Sequence, residues 1–487
     1  MPRFSSLFPL IAPALCSLVL TAAPLHAAPL PAPVANALAS AKLPASALSL
    51  AVVPLDRGPG QYWNADVPAN PASTMKLITT FAALDMLGPA FSWNTQVYVD
   101  GPVNNGVLQG NIYIKGSGDP KLTLERMWML LRDVRASGIK RINGDIVLDR
   151  SYLQIPAKTS FADDGNDPAR AYLVGPDSLL VNFHAFRFHV ATDASSANLV
   201  LDPPLPEVTL ENGIKLSANA PCVGSGLGFQ ASGAGNAVRV RVTGALPPDC
   251  SVDKYQSYLD AATYTGSLAR YLWKETGGEI SGNTRLGQVP AQATRVAQSQ
   301  SADLATNIRD INKYSNNLMA RQLFLTLGAQ FRQPGDGDDI QSASRTIHDW
   351  LTRHNADWQE LTLENGSGLS REEQISARHM AQLLQWAWQS PYAPEFISSL
   401  PIAAVDGTMK KRLKESGVAG EAHIKTGTLK DVRAAAGFVR DADGHMFAVV
   451  AILNHPQADR GLGVLDSVLA WVQSAGPGIL AANAVTR

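Results

Sequence analysis

The apolar residues near the beginning of the chain predict one buried strand followed by one buried helix. Residues 48–55, LSLAVVPL, form a short apolar run of the length that strands have. Pro71 then begins a segment in which apolar residues cover most of a helix circumference as far as Leu87, before Gly88 and Pro89. Because a helix that is apolar on all sides is normally buried, we expect this helix inside a domain core.

The region from residue 92 to residue 295 has a different pattern, in which short alternating segments are separated by turn residues. Segments such as TQVYVDG, GDIVLD and AVRVRVTG have the period-two alternation that predicts half-buried strands. One amphipathic helix is predicted among them, over TLERMWMLLRDVRAS. We therefore predict a β-rich insertion over 92–295 with two subdomains, of which one, at about 116–177, is nested inside the other.

After about residue 300 the helical pattern returns, and strands follow near the end of the chain. Helical periodicity extends over SADLATNIRDINKYSNNLMARQLFLTLG and SARHMAQLLQWAWQS. RAAAGFVR and HMFAVVAILN are separated by DADG, which is typical of a hairpin, and a last helix is predicted in GLGVLDSVLAWVQSA. The predicted fold class is therefore α/β (α+β): residues 28–91 and 296–487 form one domain, in which a helical cluster packs on an antiparallel sheet from both chain ends.

Length and composition exclude several classes of protein. A chain of 487 residues is too long for one ordinary core, so two or three domains are expected. Hydrophobic residues make up 45% of the chain and charged residues 17%, which argues against extended disorder. Because Lys and Arg number 41 while Asp and Glu number 42, there is no basic excess that would attract nucleic acid.

The first 27 residues have the pattern of an export signal. MPRF carries one arginine, the apolar segment after it is interrupted by Pro9 and Pro13, and small residues precede a cleavage position near Ala27. A membrane anchor is the alternative, and the short, interrupted apolar segment argues against it. Because no later run reaches about 18 apolar residues, we expect no transmembrane span after removal of the signal.

Two cysteines, Cys222 and Cys250, would remain after removal of that signal. In an exported protein a pair of cysteines favours a disulfide, and two buried free thiols are the alternative. The bridge would close a loop of about 28 residues, and in the chain-entropy view it would contribute on the order of 3 kcal/mol.

The first candidate for chemistry lies at the start of the first predicted helix. In PASTMKLITT, Ser73 and Lys76 are three residues apart and therefore lie on the same helix face. The segment contains almost no other charge, so burial is expected to lower the pKa of Lys76 and hold its amine neutral. A neutral amine beside a serine hydroxyl can act as a general base, which would make Ser73 a nucleophile. The same spacing at 137–140 and 251–254 lies in polar segments, where no lysine is forced out of water.

A second candidate segment is KYSNNLMARQ, in which Ser315 and Asn317 lie near a helix start. The reaction would need a second hydroxyl that relays a proton to a leaving amine and an amide that holds a substrate carbonyl. Helix capping is the plain structural alternative for these two residue types.

A third candidate segment is HIKTGTL, which contains the single Lys-Thr-Gly of the sequence on a predicted strand. Glycine weakens a strand unless something approaches the backbone closely, and at Gly427 we expect that to be a substrate. Lys425 and Thr426 would hold a terminal carboxylate, while the N–H groups of Thr428 and Ser73 would form an oxyanion hole. A β-bulge is the structural alternative.

Ser-x-x-Lys, Ser-x-Asn and Lys-Thr-Gly occur here in the order found in penicillin-binding proteins and class A β-lactamases. The chain resembles the low-molecular-mass class C penicillin-binding proteins, D-alanyl-D-alanine carboxypeptidase/endopeptidases of serine peptidase family S13. The resemblance rests on PASTMKLITT, GDIVLD, KYSNNLMA, NGSGLSR and AHIKTGTL and covers essentially the whole chain after the signal. It implies a penicillin-binding-protein/β-lactamase-like transpeptidase domain, and the long interval between Ser73 and Ser315 has room for that family's inserted domains.

The resemblance also implies a role for each matching residue. Ser73 would be acylated by the carbonyl of the penultimate D-Ala of a peptidoglycan stem peptide, and Lys76 would take its proton. Ser315 would pass a proton to the leaving D-Ala, with Asn317 and Lys425 arranged around it.

An acidic residue of the insertion would, by the same resemblance, bind the amino end of meso-diaminopimelate. Asp167 is the best match, Asp163 and Asp164 are alternatives, and a solvated acidic loop is the structural explanation. The chain departs from the family pattern in having Ser-Asn-Asn rather than Ser-Asp-Asn, and in having Asn365 where the family often has Asp. We interpret Asn365 as lying outside the chemistry.

The predicted function is that of a periplasmic serine DD-peptidase. It would hydrolyse D-Ala-D-Ala ends and D-Ala-meso-diaminopimelate cross-links, with stem peptides and β-lactam antibiotics as its binding partners. A β-lactamase or esterase of the same fold and a non-catalytic wall-binding sensor are the alternatives. We expect no metal and no cofactor, because the nine histidines are scattered and no His-Glu-x-x-His occurs. The oligomeric state stays open, with a homo-oligomer among the alternatives.

Overall fold

The computed structural model describes residues 29–56, 58–156, 169 and 171–482 of the chain. The predicted signal at 1–27 lies outside the described residues. The α-helices in the described part are α1 (Ala32–Ala41), α2 (Lys76–Leu87), α3 (Leu124–Ala136), α4 (Ala261–Glu275), α5 (Leu304–Tyr314), α6 (Asn317–Gln330), α7 (Asp339–Arg353), α8 (Ala377–Gln389), α9 (Ala393–Ser399) and α10 (Leu462–Ala482).

The strands are short in the middle of the chain and longer near its two ends. In chain order they are β1 (Leu48–Pro54), β2 (Gln61–Trp63), β3 (Asn94–Val99), β4 (Val103–Asn104), β5 (Val107–Leu108), β6 (Ile112–Lys115), β7 (Arg141–Ile142), β8 (Ile146–Asp149), β9 (Phe186–Thr192), β10 (Ala197–Asp202), β11 (Val208–Leu216), β12 (Leu227–Ala234), β13 (Ala237–Leu246), β14 (Ser251–Gln256), β15 (Glu279–Ile280), β16 (Thr284–Leu286), β17 (Thr294–Gln300), β18 (Ala422–Leu429), β19 (Val432–Arg440) and β20 (Met446–Asn454).

An antiparallel five-stranded sheet joins the two ends of the chain. Its strand order is β18-β19-β20-β1-β2, so β1 lies beside β20, and β19 and β20 form the predicted hairpin. Because alternate residues of a strand face opposite sides, Ala51 and Val53 pack with the cluster of α2, α6 and α8, while Leu50 and Val52 pack with α1 and α10. The predicted fold class, a helical cluster on a sheet from both chain ends, is confirmed.

The helix predicted to begin at Pro71 has two parts. Residues Ala72–Met75 form a 3-10 turn, and α2 continues from Lys76 to Leu87 and ends before Gly88. The residues of α2 from Lys76 to Leu84 are all buried, as expected for a helix that is apolar on every side. Lys76 is therefore placed in the domain core by its own helix.

The described part of the insertion contains four small sheets and its own apolar cluster. Strands of 94–149 pair with strands of 279–300, whereas in the described part the strands within 186–256 pair among themselves. We propose 186–256 as an alternative nested segment, because β6 and β8 pair in one sheet, and the nested segment at about 116–177 stays a prediction. The outer limits at 92 and 295 stay predictions. Cys222 and Cys250 form the predicted disulfide, within 186–256.

Hydrogen bonds from α6 and α7 connect the insertion to the domain that is formed by both chain ends. The buried side chain of Gln322 donates to the carbonyl oxygens of Gly118 at 3.0 Å and Asp177 at 2.8 Å, and accepts from the Asp177 N–H at 2.8 Å. At the start of α7, the Asp339 carboxylate accepts from the N–H of Gln154 at 2.7 Å. The insertion is thus joined to the same helix, α6, that begins with Asn317.

Within the described residues, no helix is both long enough and apolar enough to cross a membrane.

Candidate active site

Ser73 lies in a tight turn whose backbone is held by an asparagine. Ala72 has a φ of 46°, a left-handed conformation that is unusual for a residue with a side chain. Its N–H donates to the Asn70 side-chain oxygen at 2.9 Å, and the Asn70 amide donates to the Ser370 carbonyl at 2.9 Å. Ser73 itself is half-buried, whereas Ala72 and Thr74 beside it are fully buried. The turn therefore presents the Ser73 hydroxyl at the end of a buried helix.

The Lys76 amine is surrounded by three oxygen atoms. Its Nζ lies 3.1 Å from Ser73 Oγ and 2.6 Å from Asn317 Oδ1, and it also donates to the carbonyl oxygen of Ser367. The Lys76 side chain is completely buried. The contacts with Ser73 and Asn317 bring together three residues that the sequence analysis assigned to one site.

Burial has the largest effect on the protonation of this amine. Desolvation lowers the pKa of Lys76 well below its usual range, the nearby Lys425 charge lowers it further, and Glu373 acts in the opposite direction. A neutral amine has two N–H donors and one lone pair. When the Ser367 carbonyl and Asn317 Oδ1 accept the two N–H groups, the lone pair faces the Ser73 hydroxyl. This is the arrangement that a general base for Ser73 requires.

Ser315 and Asn317 lie at the junction of two helices. α5 ends at Tyr314, Ser315 has a left-handed φ of 56°, and the side chain of Asn316 caps α6 by accepting from the Met319 N–H at 3.0 Å. The capping role therefore belongs to the middle residue of Ser-Asn-Asn. The side chains on either side of it contact the two buried amines: Asn317 contacts Lys76, and Ser315 contacts Lys425.

The second buried amine of the site contacts the second hydroxyl. Lys425 Nζ donates to Ser315 Oγ at 2.9 Å and to the carbonyl oxygen of Thr426 at 2.7 Å. Its side chain is completely buried, and this burial lowers the pKa of Lys425 to about 7. Lys425 therefore changes its charge near neutral pH and remains close enough to Lys76 to lower that residue's pKa.

The strand β18 lies at the edge of the sheet, beside the turn that carries Ser73. The N–H of Ile424 points away from β19, because it donates to the Pro401 carbonyl at 2.7 Å. Since backbone groups alternate along an antiparallel strand, the N–H groups of Thr426 and Thr428 point the same way. They leave an edge to which an extended peptide could add as another strand.

Gly427 is closely approached by the turn that carries Ser73, and its contact with a substrate stays a prediction. A Cβ atom at this position would lie 2.7 Å from the Pro71 carbonyl oxygen and 3.1 Å from the Cβ of Ala72. A close approach to the backbone of Gly427 is therefore made by the chain's own turn. The glycine allows β18 to contact the segment before Ser73.

A loop that the sequence analysis did not assign to the site completes the surroundings of Lys76. Residues 364–370 carry the Ser367 carbonyl, and the buried Glu373 carboxylate accepts from four of the loop's N–H groups. Asn365 lies in this loop and accepts from the Ser367 N–H at 2.9 Å, and the interpretation that it lies outside the chemistry stays a prediction. The two glycines of NGSGLSR indicated a tight loop, but no local pattern indicated that Glu373 is buried.

The structure thus groups most of the predicted residues. Ser73, Lys76 and Asn317 are joined by hydrogen bonds, and so are Ser315 and Lys425. Thr426 adds a hydroxyl contact of 2.8 Å to Thr408, a residue that the motifs did not include. Asp167 and its alternatives Asp163 and Asp164 lie outside the described residues.

Comparison with known sequences gives a match over most of the chain. The model of a family described as the D-Ala-D-Ala carboxypeptidase 3 (S13) family matches residues 30–472. A D-alanyl-D-alanine carboxypeptidase of Actinomadura sp. (strain R39) is 29% identical over 423 residues, which cover 82% of this chain and 76% of that protein.

Comparison with solved structures shows the same fold in two other proteins. Penicillin-binding protein 4 of Haemophilus influenzae has a TM-score of 0.74 at 22% identity, covering 91% of this chain and 99% of that one; its complex with a β-lactam has a TM-score of 0.71. A predatory peptidoglycan endopeptidase of Bdellovibrio bacteriovorus has a TM-score of 0.51 at 17% identity, covering 89% of this chain and 92% of that one.

Proposed function

Because this chain belongs to the D-Ala-D-Ala carboxypeptidase 3 (S13) family, we propose that it hydrolyses peptidoglycan stem peptides through an acyl-enzyme on Ser73. Its membership makes it a serine D-Ala-D-Ala carboxypeptidase with the fold of a penicillin-binding protein. The observation that carries the proposed mechanism is the buried Lys76 amine, whose Nζ lies 3.1 Å from Ser73 Oγ.

In the proposed acylation step, Ser73 Oγ attacks the carbonyl carbon of the penultimate D-Ala. The hydroxyl proton passes to the lone pair of Lys76, and the carbonyl oxygen becomes an oxyanion. The outward N–H of Thr428 and the N–H of Ser73 are the proposed donors to this oxyanion. The terminal carboxylate is held by Lys425 in its charged form and by the hydroxyl of Thr426.

The tetrahedral intermediate then loses the terminal D-Ala. As the carbon–nitrogen bond breaks, the proton that Lys76 took from Ser73 passes through the Ser315 hydroxyl to the leaving amine, and Lys425 contacts that hydroxyl at 2.9 Å. Asn317 keeps one N–H of Lys76 engaged, at 2.6 Å, throughout the step. A water molecule subsequently hydrolyses the ester, and one of its protons passes to Ser73 Oγ.

β-Lactams would react at the same serine. Attack on the lactam carbonyl opens the ring, and the former ring nitrogen stays attached to the acyl group instead of leaving. In the part of the chain that the structure describes, no carboxylate is hydrogen bonded to Ser73 or Lys76. This lack of a nearby base for water supports a slowly hydrolysed adduct rather than β-lactamase activity.

Endopeptidase activity on D-Ala-meso-diaminopimelate cross-links is part of the proposal. The open edge of β18 could take an extended peptide, and Asp167 is proposed to bind the free amino end of diaminopimelate. We also propose that the protein is exported to the periplasm with removal of residues 1–27. The Cys222–Cys250 disulfide supports an oxidising compartment.

The proposed function can be tested with the full chain and purified muropeptides. Monomeric pentapeptides should lose one D-Ala, cross-linked dimers should be cut to monomers, and benzylpenicillin should add its mass to Ser73. Ser73→Ala should abolish all three, while Ser137→Ala, in the polar segment with the same spacing, should abolish none. Rapid turnover of a chromogenic cephalosporin, or D-Ala release by Ser73→Ala, would contradict the proposal.

A further inference from the structure

The loop beside Lys76 is organised around a single carboxylate. Glu373 is completely buried, and it accepts from the N–H groups of Glu364 at 3.2 Å, Asn365 at 2.9 Å, Gly366 at 2.8 Å and Gly368 at 2.8 Å. Burial raises the pKa of Glu373, and the four converging N–H donors act in the opposite direction by stabilising the ionised form. The Glu373 carboxylate has no part in the acylation and hydrolysis steps proposed for Ser73.

One peptide group connects this carboxylate to the amine of Lys76. The N–H of Gly368 donates to Glu373 Oε2 at 2.8 Å, and the C=O of the same peptide group, which belongs to Ser367, accepts from Lys76 Nζ. In a trans peptide the N–H and C=O point in opposite directions, so fixing one of them also fixes the other. A carboxylate on the N–H side also polarises the peptide and makes its carbonyl a better acceptor.

Steric contact and neutral hydrogen bonds also restrain this loop. Gly368 has a φ of +77°, and a Cβ there would lie 1.9 Å from the carbonyl oxygen of Ala72, directly before the nucleophile. Asn365 closes the loop with neutral contacts, to the Ser367 N–H at 2.9 Å and the Leu369 carbonyl at 2.9 Å. The carboxylate that accepts from the Gly368 N–H is that of Glu373.

We propose that Glu373 is a positioning residue for the reaction, a proposal that rests on the function proposed above. Glu373 holds the peptide between Ser367 and Gly368, so that the Ser367 carbonyl keeps one N–H of the Lys76 amine. The lone pair of that amine then faces Ser73 and not the loop. Glu373 acts through Lys76 and touches no substrate.

Glutamine at position 373 is the sharpest change, because it keeps the shape of the side chain and removes the charge. The carboxylate accepts on both oxygen atoms, whereas an amide would turn an NH₂ group towards one set of N–H donors. With its oxygen on Asn365 and Gly366, the amide nitrogen would face the N–H of Gly368. The peptide that contacts Lys76 would lose its restraint.

The charged groups that surround this pair set the direction of a pH effect. Lys76 interacts with the charges of Lys425 and Glu373, and Arg321 interacts with those of Glu364 and Glu373. Lys425 disfavours the protonated form of Lys76, and Glu373 favours it. Removing the Glu373 charge therefore makes Lys76 lose its proton at lower pH.

The test is the pH profile of acylation by fluorescent penicillin between pH 5 and pH 10. In Glu373→Gln we expect a plateau rate about tenfold below that of the wild type. We also expect the acidic limb about one pH unit lower. Glu373→Asp keeps the charge, but its carboxylate reaches less far. Its plateau rate of acylation should therefore fall, while the pH of its acidic limb should match that of the wild type. This variant is used for the test if Glu373→Gln does not fold. Glu372→Gln, at the exposed neighbouring carboxylate, is the matched control and should follow the wild type in both respects.

The outcomes separate this inference from the function it rests on. If the wild type and Glu372→Gln are not labelled on Ser73, the proposed function fails. If both are labelled and Glu373→Gln melts at a lower temperature with the same plateau and acidic limb, Glu373 is only structural and the inference is overturned. An unchanged plateau in a folded Glu373→Asp protein would overturn it as well.

Discussion

The β-rich insertion and the catalytic centre bury charged side chains in different ways. In the insertion, Asp119 and Asp177 are each 2% exposed, and each pairs with a guanidinium. The Asp119 carboxylate lies 2.6 Å from Arg126, and the Asp177 carboxylate pairs with Arg150. Burial still raises the pKa of Asp119, with Arg126 acting in the opposite direction.

The catalytic centre buries two amines that contact no carboxylate among the residues described by the structure. Lys76 and Lys425 are both completely buried, and their hydrogen-bond partners are hydroxyl, amide and carbonyl oxygen atoms. The closest arrangement to an ion pair is indirect, through the peptide that separates Lys76 from Glu373.

This difference shows which charges serve stability and which serve reactivity. A guanidinium beside a buried carboxylate offsets part of its desolvation cost and keeps it ionised. A buried amine without such a partner loses its proton more easily, which gives a base at the expense of folding free energy. Breaking a pair in the insertion should therefore change stability, whereas changing an amine in the centre should change the reaction.

The largest expected effect is that of Lys76→Met. Acylation by benzylpenicillin should slow by about 10³-fold, because Ser73 loses its general base. The melting temperature should stay the same or rise, since a buried amine is replaced by an apolar side chain of similar length. Intact-mass kinetics and thermal melting measure the two effects. Lys411→Met, at an exposed lysine, should change neither, and an acylation rate within about tenfold of the wild type would remove Lys76 from the proposed step.

Next in size is the loss of the disulfide in the insertion. The double variant Cys222→Ser/Cys250→Ser should lower the free energy of unfolding by about 3 kcal/mol, because the unfolded chain gains freedom over the loop. The penicillin acylation rate should remain within about twofold of the wild type, since the site is made by other elements. Denaturant titration and acylation kinetics check both parts. A loss of stability accompanied by a clear loss of acylation rate would contradict the prediction that the insertion affects stability and not the reaction.

The pH dependence of peptide hydrolysis should be set by Lys425 on its alkaline side. Burial lowers the pKa of Lys425 to about 7, so its charge is lost as pH rises through that value and is fully present below it. Since the charged form would bind the substrate carboxylate, kcat/KM should fall by about tenfold per pH unit above the pKa. In Lys425→Arg the guanidinium stays charged over this pH range. The alkaline limb of the kcat/KM profile should therefore disappear, even if the variant has a lower plateau. An unchanged limb in that variant would assign it to another group.

The smallest of these effects is expected for Asp177→Asn. The change leaves Arg150 without its buried partner and should lower the free energy of unfolding by about 2 kcal/mol, with acylation unchanged. Asp253→Asn removes a more exposed contact, 2.8 Å from His189, and should cost less than about 0.5 kcal/mol. Denaturant titrations of both variants give the comparison, and equal losses would mean that burial does not distinguish the two pairs.

Local patterns were sufficient to predict the elements that carry the site. The helix around Ser73, the hairpin of β19 and β20 and the α+β class all follow from periodicity and turn residues, which depend on near neighbours. The lowered pKa of Lys76 could also be predicted, because its segment has almost no other charge.

Other features could not be predicted because they depend on residues far apart in the chain. Gly427 accommodates the turn before Ser73, more than three hundred residues earlier. No local pattern around Asn365 indicates that its loop contacts Lys76 through the Ser367 carbonyl. The pairing of β6 with β8 could not be predicted either, because alternation indicates strands but not which strands pair.

The sequence by itself determined the class of fold, the order of the three motifs and the burial that lowers the pKa of Lys76. These depend on side-chain chemistry and on spacings of a few residues, which a linear pattern preserves. Only the tertiary structure decided that Glu373 is buried and that a peptide joins its carboxylate to Lys76. The physical reason is that solvent exclusion at a polar residue is created by whatever packs around it, and those neighbours come from distant parts of the chain.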